Sequence, residues 1–228
     1  TDPKQVLDSA CPETFPGAVA CATVEGEIVL HHAAGYRALH PAQEANDVHT
    51  IYDLASLTKP MAVGSILLVA LEAAEVSLDE RVWRDITVRH LAGHTSGLPA
   101  WRDFGAEGID TEAAIRREVY QTRNETPPGA RACYSDIGFM MLGFFLEERL
   151  GAPLDVLFDR IKGHFDLEYA CFCPQSDSRI APTEGVRGIV HDPNSRLMGG
   201  VSGHAGLFAT AKEVVQWANA WIRFHRDN

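Results

Sequence analysis

The sequence predicts an α/β protein of the α+β kind, an antiparallel sheet flanked by helices and joined to a mainly helical region. Three observations carry that prediction. Two β-prone runs lie close together around a tight turn near the start, strongly apolar helical stretches follow Ser56 and Ser135, and an amphipathic stretch comes last. A sheet and helices that each bury one apolar face satisfy all three.

In chain order, a short amphipathic opening at Val6 and Leu7 precedes residues 17–24 and 27–33, β-branched and alanine-rich runs joined by Glu25-Gly26. The pair reads as a hairpin and as the edge of an antiparallel sheet. A helix starts near Ser56, with Pro60 in its first turn where a missing N–H costs little. It continues through Met61, Ile66, Leu67, Ala70 and Leu71, apolar nearly all round, which predicts burial. From about 84 to 130 the sequence predicts short helices and turns: 87–91, the turn-rich 94–99, a polar helix over 111–122, and Thr126-Pro127-Pro128-Gly129. A second apolar helix spans 135–150 and stops at Gly151, and Pro153 heads a third over 154–162. Residues 165–194 show no period and read as loop. The last element, 211–224, sets Val214, Val215, Ala218, Trp221 and Ile222 on one helical face. On this reading 1–228 forms a single domain, with 1–55 and 195–228 on the sheet side and 56–194 mainly helical.

The bulk properties narrow the function classes. With 46% hydrophobic residues among 228, the chain can bury a core. Its formal charge of −11 is spread along the sequence without a basic stripe, which speaks against a nucleic-acid partner. The longest apolar runs, 66–71 and 137–146, fall short of the roughly 20 residues that cross a bilayer, so no membrane span is expected. The opening Thr-Asp-Pro is not a basic and apolar leader, so any export signal has been removed or never existed. The compartment stays open between bacterial periplasm and cytoplasm, as does the oligomeric state. Five cysteines, Cys11, Cys21, Cys133, Cys171 and Cys173, lack the paired spacing of a zinc site or a disulfide framework and read as thiols. Neither a metal nor an organic cofactor is expected.

Ser56 and Lys59 are the first candidates for chemistry. Three residues apart at a helix start, they share a face and lie within reach of one another. A serine hydroxyl becomes a useful nucleophile when a base takes its proton, and a lysine amine serves if burial disfavours its charged form. Backbone N–H groups at the same helix start suit the oxyanion of a tetrahedral intermediate. Taken alone the pair is a weak signal, because a serine before a helix is usually an N-cap. Tyr134-Ser135-Asp136 strengthens it: a phenol, a hydroxyl and a carboxylate in a turn ahead of a buried helix. A tyrosine near a lysine can act as base towards the serine and then as acid towards the leaving group.

Together these residues resemble the serine β-lactamase and penicillin-binding protein family, in the class C-like branch that includes esterases and D-alanyl-peptide carboxypeptidases. Ser56-Leu57-Thr58-Lys59 matches its S-x-x-K and Tyr134-Ser135-Asp136 its Y-x-N. The frame agrees at Tyr52-Asp53-Leu54-Ala55, at Ile86 to Leu91 running into His94-Thr95-Ser96-Gly97-Leu98-Pro99, at Pro128-Gly129, and at Gly203 to Ala211. The resemblance implies a β-lactamase/transpeptidase-like fold with its site in a cleft between sheet and helical region. It implies that Ser56 is acylated, that Lys59 and Tyr134 share the general base and acid roles, and that residue 136 hydrogen-bonds the substrate amide or Lys59. The implied partner is a small-molecule or peptidoglycan-like substrate bearing an ester, β-lactam or D-alanyl-peptide carbonyl, with esterase or carboxypeptidase slightly favoured.

Two departures stand out. Asp136 replaces asparagine, exchanging a donor and an acceptor for a charge that favours the ammonium of Lys59, the opposite of what a free base needs. Tyr134 then gains weight as proton carrier, and an overlap with the S-D-N element leaves Ser135 as a lesser candidate. Second, the family closes its site with K-T-G or H-x-G on a late sheet strand, and the sequence ends before one is evident. His204-Ala205-Gly206 fits H-x-G in letters, which makes His204 and Gly206 candidate substrate-binding residues with Asp136, although its surroundings look like the segment before the last helix. The sheet is therefore expected to be incomplete at the C-terminus. Its closing strands lie outside this sequence, come from a partner, or have been lost; in the last case the chain is a non-hydrolytic, penicillin-binding or sensor-type domain. Of the remaining candidates, His94 reads as fixing a loop, and Gly200, Gly203 and Gly206 as letting the backbone line a cleft.

Overall fold

The hairpin is set by its turn. In the computed structural model, which describes residues 2–227, α1 (Pro3–Ala10) precedes β1 (Gly17–Val24) and β2 (Glu27–Ala38). These strands pair antiparallel from Gly17↔Gly35 to Val24↔Glu27, with an irregularity beside Ala22. Glu25 and Gly26 both take positive φ, 53° and 88°, the combination whose twist matches that of the flanking strands. β3 (Glu44–Ala45) pairs with β2, and β4 (Ile51–Asp53) follows. A helical run comes next: a 3-10 turn over Ala55–Leu57, a π-helical stretch over Lys59–Gly64, and α2 (Ser65–Glu72). Then come β5 (Arg81–Trp83), β6 (Ile86–Thr87), α3 (Val88–Ala92), α4 (Glu112–Gln121), α5 (Asp136–Leu150) and α6 (Leu154–Ile161). β7 (Cys171–Phe172), α7 (Pro193–Leu197), β8 (Leu207–Thr210) and α8 (Ala211–Asp227) complete the chain.

These elements form two units. The first comprises the segments up to Asp53, Lys162–Ile189 and from Phe208 onward; the second comprises Leu54–Ile161 and Val190–Leu207. In the first, α8 packs on β1, where Thr23 Oγ1 donates to Asn219 Oδ1, and β8 lies between β4 and β7. In the second, α5 is the core helix, buried without a break from Ile137 to Leu146 and packed by α3, α4 and α6. Ser135 caps it, and Gly151 ends it at φ 70°. Gly203 lies so close to α5 that an added side-chain carbon would collide with the Phe139 carbonyl.

Three features differ from the sequence reading. The helix after Ser56 is not regular, because Pro60 has no N–H to give the Ser56 carbonyl and the first α-turn cannot close. Taken whole, the run Ala55–Glu72 is long and apolar enough by length and composition to cross a membrane, yet half of it is buried inside the protein. Second, Leu207–Thr210 is a strand where only a glycine-rich approach to the last helix was expected. All four of its residues are buried, so it shows no alternation for a period-2 reading to find. Third, residues 162–189 belong with the sheet-side elements and 190–207 with the helical ones, which places the division differently from the expected 1–55, 56–194 and 195–228.

Candidate active site

The helical unit alone assembles the cluster around Ser56, and Lys59 organises it. Ser56 is exposed in the 3-10 turn, behind Ala55 at the left-handed φ of 45°, a conformation that costs an alanine roughly 1–2 kcal/mol. Lys59 is buried, only 2% exposed. An ammonium carries three N–H donors, and Nζ has three acceptors: Ser56 Oγ at 3.0 Å, the His204 carbonyl at 3.0 Å, and Asp136 Oδ1 at 2.7 Å. The third contact is an ion pair lying off the line of a well-directed hydrogen bond, so buried Oδ1 is satisfied by charge more than by direction.

Tyr134 meets this cluster with its ring. The half-exposed phenol ring lies 4.8 Å from Nζ to its centroid, a cation–π contact, and stacks at 4.5 Å on His94, which also meets Phe139 at 4.8 Å. His94 in turn fixes the Tyr-Ser-Asp turn. Its carbonyl accepts the Cys133 N–H, and its Nδ1 accepts the Ser135 N–H at 3.1 Å. An accepting Nδ1 requires the neutral ring with its proton on Nε2. Burial, joined by the charge of Lys59 and only partly opposed by Asp136, holds the His94 pKa below the usual 6.5. Ser135 itself is committed as a cap: Oγ donates to the Pro99 carbonyl at 2.6 Å and accepts the Gly138 N–H. The Asp136 N–H donates to the Ala100 carbonyl, which anchors the carboxylate in the first turn of α5.

His204, expected as a substrate-binding residue, is fixed by its ring and meets Lys59 with its carbonyl. Its imidazole is 1% exposed and engaged on both nitrogens, Nε2 with Asp192 Oδ1 at 2.8 Å and Nδ1 with Ser202 Oγ at 2.7 Å. Both ring nitrogens are engaged within the protein, and the His204 carbonyl is the group held against Lys59. Burial alone would raise the Asp192 carboxyl. The His204 hydrogen bond and charge, with the Ser195 and Asn194 N–H groups, outweigh it and bring the pKa below the ordinary value. Gly206, at φ 125°, turns the backbone so that Leu207 locks onto the helical run, its N–H donating to Thr58 Oγ1 and its carbonyl accepting the Leu54 N–H. Asp192, Ser202 and Thr58 escaped the sequence reading because a part-buried pair twelve positions apart follows no helix or strand period. The Asp-Pro-Asn start of α7 was the only local signal, and it reads as a cap.

The family profile described as Beta-lactamase matches residues 9–227. The chain belongs to the beta-lactamase family. Among curated relatives, "Putative D-alanyl-D-alanine carboxypeptidase" of Escherichia coli (strain K12) is 29% identical over 212 residues, covering 72% of this chain and 49% of that protein. This beta-lactamase-family chain thus spans about half the length of the curated relatives it matches. Two solved structures share its fold. The penicillin-binding protein homologue from Pyrococcus abyssi, described as octameric, has a TM-score of 0.78 at 19% identity, over 98% of this chain and 56% of that one. The class C beta lactamase from Rhodobacter sphaeroides has a TM-score of 0.76 at 18% identity, over 95% and 64%. The antiparallel sheets and helices described above are accordingly a β-lactamase/transpeptidase-like fold.

The cluster suits proton transfer at an exposed hydroxyl. A buried amine touches the hydroxyl oxygen, and its other two contacts, a carbonyl and a carboxylate, can be kept when that amine changes protonation state.

Proposed function

We propose that this chain is the acylating part of a serine hydrolase, with Ser56 as nucleophile and Lys59 as its proton acceptor. The observation that carries this reading is the threefold coordination of Lys59 Nζ, with Ser56 Oγ as its one exposed partner. As an ammonium, Lys59 donates to Ser56 Oγ and the His204 carbonyl and pairs by charge with Asp136. Once neutral, it keeps an N–H on the His204 carbonyl and stays beside Asp136 while its lone pair receives the Ser56 proton. Ser56 Oγ then attacks the carbonyl carbon. The proton on Nζ passes to the leaving oxygen or nitrogen, and water later releases the acyl group and restores the serine hydroxyl. The Ser56 N–H at the head of the helical run serves as one oxyanion donor. Tyr134 shields Lys59 with its ring and shares the proton traffic, while Asp136 and the 204–206 segment border the substrate.

The substrate is an ester or a D-alanyl-peptide carbonyl, the second in keeping with the carboxypeptidase name of the curated relatives. A fluorophosphonate or fluorescent penicillin probe should label the protein, and Ser56→Ala should abolish the label. Labelling that survives in the variant sinks the nucleophile assignment. Release of more than one product per enzyme from an ester or D-alanyl peptide separates a turning-over hydrolase from a domain that only acylates.

A further inference from the structure

The substrate's charge is left open by that reading, and Asp136 bears on it. Its two carboxylate oxygens meet different surroundings. Oδ1 is buried against Lys59 at 2.7 Å, while the side chain as a whole stays 18% exposed, so the accessible part lies towards the other oxygen. A single amine nitrogen separates this carboxylate from the hydroxyl of Ser56. A carboxylate accepts hydrogen bonds and offers none. Among the described residues, Lys59 is the one cation in contact with Ser56 Oγ or with the Asp136 carboxylate, and the ion pair cancels its charge. The neighbouring His94 adds none, since its Nδ1 accepts the Ser135 N–H. A substrate with a carboxylate beside its scissile carbonyl therefore meets an acceptor where it needs a donor, and a like charge where it needs an opposite one.

We propose that Asp136 is a specificity-determining residue: it selects neutral or ammonium-bearing acyl donors, whose N–H meets its open oxygen, over substrates carrying a carboxylate near the scissile carbonyl. The proposal rests on Ser56 as nucleophile and, of the two substrate classes named above, favours uncharged or cationic esters and amides over a D-alanyl peptide that ends in a free carboxylate.

Three p-nitrophenyl esters of equal acyl length, ending in a methyl, an ammonium or a carboxylate, test it through kcat/KM. The expected result is an about tenfold disadvantage for the carboxylate ester at low salt, the scale of one unfavourable charge contact in a partly hydrated site. In Asp136→Asn that ratio should fall close to one. Exchanging the carboxylate also alters the proton balance of Lys59, but it does so for all three esters alike, and the ratio cancels it. Should the variant be inactive, the wild-type protein supplies the readout: raising NaCl from about 20 mM to about 500 mM shortens the screening length and should shrink the disadvantage severalfold. A preference for the carboxylate ester overturns the proposal, as does a ratio unmoved by both the substitution and salt. Hydrolysis of all three esters without charge preference strikes Asp136 alone. Absence of both hydrolysis and fluorophosphonate labelling takes down the Ser56 reading and this inference with it.

Discussion

Two buried ionisable side chains, one in each unit, show opposite ways of accommodating charge. Glu213, 3% exposed in the sheet-side unit, accepts with Oε1 from the N–H groups of Glu168, Tyr169 and Ala170, and with Oε2 from both the N–H and the hydroxyl of Thr210. Every donor is buried or part-buried and four of the five are main chain, so this carboxylate ties residues 168–170 to the start of α8. Lys59, equally buried, is bounded by three acceptors, and one of them is an exposed serine hydroxyl. The first arrangement closes a structure. The second leaves one contact able to reverse its direction, from Nζ donating to Oγ to Oγ donating to Nζ, and that reversibility separates a site from a staple.

The largest effect is expected at Lys59. Lys59→Met keeps the stem's length and apolar packing and removes the amine. It should lower the rate of fluorophosphonate labelling by about 10²–10⁴-fold, the range for losing a positioned proton acceptor. A rate within a few-fold of wild type would remove Lys59 from the chemistry. Glu213→Ala is the reciprocal case. It leaves five donors without their acceptor and should cost about 3 kcal/mol or more of stability, read as a lower urea midpoint. The labelling rate per folded molecule should hold. If it falls along with stability, the two charges do not divide into structural and chemical in the way described.

His204 sharpens the contrast because it acts through another residue. Its ring is anchored by Asp192 and Ser202 while its carbonyl positions Nζ. His204→Ala should release that anchor and slow labelling on the order of 10- to 100-fold, as small misplacements of a reacting group do. His204→Asn, which keeps a side-chain donor for Asp192, should recover part of the loss at equal stability. Equal rates in the two variants would leave His204 as packing only.

What could be read from the sequence followed from how local each signal is. The hairpin, the capped apolar helix behind Ser135 and the Ser56–Lys59 spacing are set within a few residues, and all were legible. The irregular run after Ser56 was not, since Pro60 at a helix start is ordinarily harmless and here leaves a π-helical stretch behind the serine. β8 was hidden by burial on both faces, and the Asp192–His204 pair by long range. His204 was found for its letters, as part of H-x-G, and the structure gives its ring a different task. The reading that Asp136 could pair with Lys59 rested on one substituted residue whose charge requires a partner, and the ion pair at 2.7 Å has that form.

The smallest expected effect concerns pH, and it separates His94 from the two buried charges. Because its folded pKa lies below the 6.5 of an unfolded histidine, the unfolded chain binds the proton more readily in the interval between the two values. Stability owed to the neutral ring is therefore complete above about pH 6.5 and declines as pH falls through that interval. Protonation also places a hydrogen on Nδ1, where the Ser135 N–H now donates, and so loosens the turn carrying Tyr134 and Asp136. Urea midpoints and labelling rates measured from pH 8 to pH 5 should fall more steeply in the wild-type protein than in His94→Asn, whose amide oxygen can accept the Ser135 N–H at every pH. Parallel profiles would show that the acid sensitivity in this range belongs to groups other than His94; Asp192 is not among them, because its lowered pKa confines its loss of stability to the more acidic carboxylate range.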